Sequence, residues 1–85
     1  MLTKQELLAT VKEYCSQREE IAAVYAFGSV VKERFNQNSD LDLGVMVAPG
    51  VNKVAAFDLK LELEGKLEEL VDREVDIVIF SQVPL

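Results

Sequence analysis

Histidine and tryptophan are absent from this chain, and cysteine occurs once, at Cys15. Without histidine there can be no His-based catalytic triad and no zinc site of mixed Cys and His ligands, and a single thiol closes no intrachain disulfide. Any metal would have to be held by oxygen. Basic residues are also scarce: nine Lys and Arg stand against fifteen Asp and Glu, leaving a net charge of −6. Such a balance repels a phosphate backbone, so no direct nucleic-acid binding is expected. No run of eighteen apolar residues occurs, which excludes a membrane-spanning helix. The N-terminal "MLTKQELLATVKEY" is charged and holds no apolar signal core, so a cytoplasmic location is expected.

What is present suits a soluble globular chain, with 49% hydrophobic residues to form a core and 28% charged residues to solvate it. At 85 residues the chain is read as a single domain, 1–85, whose core is marginal by itself. A covering partner, or a missing C-terminal segment, is therefore expected.

Thr3 and Glu6 form a T-x-x-E capping box, and Leu7, Leu8, Val11, Tyr14 and Cys15 repeat at helical spacing. These predict a first helix over about residues 4–17. "IAAVYAF", residues 21–27, is a continuous apolar run stopped by Gly28 and reads as a largely buried strand. "VVKERF" is assigned a brief helix, followed by the turn-forming "NQNS". "LDLGVMV", residues 41–47, alternates as a strand does, and "APG" ends it. From residue 52 to 71, Ala56, Leu59, Leu63, Leu67 and Leu70 mark one stripe of a long amphipathic helix, with Asn52 as its cap and Asp58, Glu62, Lys66 and Glu69 opposite. Its acidic run "ELEGKLEELVDRE" reads as a solvated face. "VDIVIF", residues 75–80, is β-branched enough for a third strand. The order is α-β-α-β-α-β, an α/β (α+β) fold with a small mixed sheet of about three strands and helices on one side.

Alternate strand residues share a face, so Asp40 and Asp42 are expected on one side, with their Cα atoms roughly 6.5–7 Å apart. Leu41, Leu43, Val45 and Val47 then face the core. Asp76 interrupts the third strand in the same way, and if that strand lies beside the Asp40–Asp42 strand, three carboxylates share a face. Their mutual repulsion is relieved by a hard cation, and oxygen ligands with open positions suit magnesium completed by substrate phosphates. The Gly28-Ser29 turn complements this: glycine lets backbone approach a phosphate, and Ser29 offers a hydroxyl and an amide.

With its G-S, ten residues, then D-x-D, "GSVVKERFNQNSDLD" resembles the minimal nucleotidyltransferases (MNT) of the polymerase-β-like superfamily, and Asp76 matches their later third carboxylate. The resemblance spans nearly the whole chain. Where relatives often read G-S-x-A-R-G, this chain has Val31, Lys32 and Glu33, so Lys32 keeps a positive charge without the guanidinium fork. The resemblance implies Asp40, Asp42 and Asp76 as catalytic residues and ligands of magnesium (two Mg2+ ions), Gly28, Ser29 and Lys32 as nucleotide-binding, and ATP as substrate. It further implies transfer of AMP (AMPylation) to a hydroxyl, a tyrosine of a small all-helical HEPN-type toxin, in a HEPN/MNT toxin-antitoxin pair. The alternative is a non-catalytic module that neutralises such a partner by occlusion. Whether the chain forms a homo-oligomer stays open.

Overall fold

The computed structural model describes residues 3–28 and 39–81. Helix α1 (Lys4–Ser16) begins at the expected capping box: the Thr3 side chain accepts from the Glu6 N–H, and the Glu6 carboxylate accepts from the Thr3 N–H. Strands β1 (Ile21–Phe27) and β2 (Leu41–Val47) coincide with the apolar run and the alternating segment of the sequence. Helix α2 (Lys53–Val71) starts from Asn52, whose side chain accepts from the Ala55 N–H. It stops at Asp72, which adopts the left-handed conformation at φ 52° and donates its N–H to the Glu68 carbonyl. Strand β3 (Val75–Ser81) follows. The brief helix expected in "VVKERF" lies outside the described residues.

The three strands form one mixed sheet in the order β1-β2-β3, with β1 antiparallel and β3 parallel to the central β2. The parallel pair is joined through α2, as a parallel crossover requires. Both helices lie against one face. Leu7, Val11 and Cys15 of α1 meet Leu41, Leu43, Val45 and Val47 of β2 and Leu59, Leu63 and Leu67 of α2 in a single core. Leu7, Leu41, Leu63 and Leu67 are fully buried, each contributing about 1.5–3 kcal/mol. Burial in this core also raises the Cys15 thiol pKa.

Three sequence expectations change. Strand β1 is a half-exposed edge strand instead of a largely buried one, because only one face of it meets the helices; Tyr25 and Phe27 point away and are exposed. Leu70 leaves the buried stripe of α2, and Val71 takes its place, since 71 lies four residues beyond Leu67 and keeps closer to the buried face than 70 does. The acidic run of α2 is more than a solvated face: Glu68 Oε2 accepts the Val75 N–H at 3.1 Å and Glu64 Oε2 the Ile77 N–H at 3.0 Å. These two carboxylates cap outward amide groups of β3, where no further strand is described.

Arg18, after α1, forks onto Glu62 of α2 at 2.7 and 3.1 Å and also reaches Glu20. The pair of carboxylates raises the pKa of the guanidinium, and Arg18 in turn lowers those of Glu62 and Glu20. This clasp fastens the turn leading into β1 to the middle of α2. Among the described residues no helix is long and apolar enough to cross a membrane.

Candidate active site

The two helices leave the other face of the sheet open, and register decides what gathers there. Phe27, Asp42 and Asp76 are neighbours in one row across β1, β2 and β3. Adjacent strands lie about 4.8 Å apart, so Asp42 and Asp76 stand side by side on the open face. Asp42 is half-buried and Asp76 exposed. The expectation that β3 places Asp76 beside Asp42 is met, and it is the parallel pairing of β2 with β3 that does it.

Strand β2 begins at Leu41, so Asp40 stands exposed just before the strand. The segment is docked from two directions: Arg73 Nη1 donates to the Ser39 carbonyl at 3.0 Å, and the Leu41 N–H donates to the Glu74 carbonyl at 2.9 Å. Both bonds tie the approach to Asp40 and Asp42 to the turn that opens β3. Nothing in the sequence marks Arg73 for this task, because its partner lies 34 residues away.

Gly28 ends β1 with φ 75°, a left-handed conformation that glycine adopts at little cost. The Asp42 carboxylate lies against its backbone so closely that a Cβ at position 28 would collide with Oδ2. Glycine is needed here twice over, for its conformation and for its missing side chain. The start of the Gly-Ser turn and the second aspartate of the D-x-D motif are thus in direct contact. Ser29 and Lys32 lie outside the described residues.

The donor set at this end of the sheet is all oxygen, which fits a hard cation such as magnesium. Among the described residues no three acidic or thiol side chains gather closely enough to form a ready-made metal cage. A separate groove of about 440 Å³ opens between the N-terminal half of α2 and β3, lined by Val51, Ala56, Phe57 and Ile79 among others. It contains no carboxylate and belongs to the helix-covered side.

Sequence reasoning passed over the aromatic residues beside the aspartates. Phe27 and Phe80 both reach across Gly44, whose missing side chain makes room for them. The signal was present in the alternation of β2, where a glycine occupies the position after Asp42 on the open face.

The family described as "Polymerase beta, Nucleotidyltransferase" matches residues 9–85. Among solved structures, one described as the crystal structure of the toxin-antitoxin with AMP-PNP is similar at 26% sequence identity with a TM-score of 0.62, covering 92% of this chain. This chain spans 57% of that neighbour's length. No curated protein matched the sequence. A family match over nearly the whole chain, on a mixed sheet that sets Asp42 against Gly28 and beside Asp76, shows that the chain belongs to the polymerase beta nucleotidyltransferase family.

Proposed function

We propose that this domain transfers a nucleoside monophosphate, AMP from ATP, to a hydroxyl on a partner protein, as the nucleotidyltransferase half of a toxin-antitoxin pair. The observation that carries the reading is the contact of Gly28 with Asp42 and the register of Asp42 with Asp76. The neighbour solved with AMP-PNP in a toxin-antitoxin complex supports both the nucleotide and the partner.

Gly28 and Ser29 hold the phosphates, with Lys32 adding positive charge. Asp40, Asp42 and Asp76 hold magnesium, which when bound neutralises the phosphates and the developing charge of an in-line displacement. The acceptor oxygen attacks the α-phosphorus, the bond to the β-phosphate oxygen breaks, and diphosphate leaves. Asp76, the more exposed of the register pair, takes or orients the acceptor proton. The partner toxin is of the small, all-helical HEPN type, and the hydroxyl is that of a tyrosine.

A second reading, neutralisation by occlusion alone, draws on Val54, Phe57 and Leu61, which expose an apolar stripe along α2. One experiment separates the two. With labelled ATP, magnesium and the helical partner, label should move onto the partner, and Asp40→Asn with Asp42→Asn should bind the partner yet transfer nothing. If no label moves with the wild type, and the double variant neutralises the partner equally well, occlusion is the function.

A further inference from the structure

We propose that Phe27 and Phe80, meeting over Gly44, form the stacking platform for the nucleobase of the bound nucleotide; this rests on the nucleotidyl-transfer reading above. One row along the sheet from Asp42 and Asp76 stand Tyr25, Gly44 and Val78, and the next row holds Ala23, Met46 and Phe80. Phe27 leans in from the aspartate row and Phe80 leans back from the far row. A Cβ on Gly44 would lie 2.5 Å from Phe80 Cε2 and 3.4 Å from Phe27 Cε1, so both rings converge on the space that a side chain would fill. Yet the rings are 40% and 45% exposed, and the helices that would cover them pack on the opposite face.

Position suits the assignment. Gly44 lies two residues beyond Asp42, about 7 Å along the strand. Phosphates held at Gly28, beside a cation at Asp42, therefore leave one ribose to span the distance to the rings. The chemistry of the face suits it as well. Beyond the aspartate row its two further rows present aromatic and aliphatic side chains, and none of the three rows holds a Lys or Arg. A surface of that kind recognises the π-face of a base instead of its hydrogen-bonding edge. The platform thus favours purines over pyrimidines by area, with little discrimination between adenine and guanine.

The test compares two magnesium-bound ligands that share a triphosphate and differ in the adenosine: ATP and inorganic tripolyphosphate, titrated calorimetrically into the full chain, its Phe80→Leu variant and its Phe27→Leu variant, the loss in the variants assigning the difference to the base. The wild type should bind ATP about tenfold or more tighter than tripolyphosphate, and each variant should lose most of that preference while its tripolyphosphate affinity stays unchanged. The unchanged tripolyphosphate affinity shows that the variant is folded and its phosphate site intact. Equal affinity of the wild type for both ligands, or a preference that survives in both variants, overturns the stacking platform and leaves the nucleotidyl-transfer reading standing. A wild type that binds neither ligand overturns that reading itself.

Discussion

Replacing Gly28 with alanine introduces two separable costs. The left-handed φ of 75° costs an L-residue about 1–2 kcal/mol. The added methyl also collides with Asp42 Oδ2, and turning that carboxylate aside costs on the order of 1 kcal/mol more, the range of an off-rotamer side chain. The sum is about 2–3 kcal/mol, which for a domain of this size lowers the melting temperature by roughly 8–24 °C. A double-mutant cycle followed by thermal melting divides the two parts. In an Asp42→Ala background the methyl finds no carboxylate, because the remaining Asp42 Cβ position is 3.4 Å away and in ordinary contact, so only the conformational cost survives there. The expected coupling between positions 28 and 42 is therefore about 1 kcal/mol. Gly28→Ala should also lose the stabilisation that Mg-ATP confers on the wild type, since a ligand that binds only the folded state raises its melting temperature. A fully additive cycle would show that Gly28 and Asp42 do not touch in solution. A Gly28→Ala variant with wild-type stability and an undiminished Mg-ATP response would refute the whole account of the turn.

Two further outcomes follow from polar contacts made across the fold. Arg18 holds the pKa values of Glu62 and Glu20 below the usual carboxylate range, so the stability they contribute is fully present above the unfolded carboxylate pKa of about 4.5 and is lost as pH falls through the lower folded values. Urea melts of wild type and Glu62→Gln should differ at pH 7 and converge in strong acid; a gap that persists there places the effect outside this ion pair. Truncating both Glu64 and Glu68 to alanine removes the acceptors of the Ile77 and Val75 N–H groups, each worth about 1 kcal/mol, and opens β3 to pairing with another strand. Sedimentation velocity should then show concentration-dependent association that the wild type lacks to the same degree, and equal behaviour of the two would contradict the capping role.

Local chemistry settled much of this molecule before any chain folded. The capping box at Thr3 and Glu6, the seven-residue strands 21–27 and 41–47, and the core positions Leu43, Leu59 and Leu63 all rest on interactions within a few residues, where periodicity and side-chain type suffice. The spacing between Gly28-Ser29 and the two aspartates is likewise a property of the sequence. Tertiary structure decided the rest, because each remaining feature joins residues remote in the chain. Only strand pairing sets Asp76 beside Asp42 and leaves β1 at an edge with Tyr25 and Phe27 exposed. Only packing brings Arg73 to Ser39, Arg18 to Glu62, and the Asp42 carboxylate onto Gly28. A strand's alternation fixes which residues share a face, but the neighbour opposite each one is fixed by register, and register is chosen when the helices cover one side of the sheet.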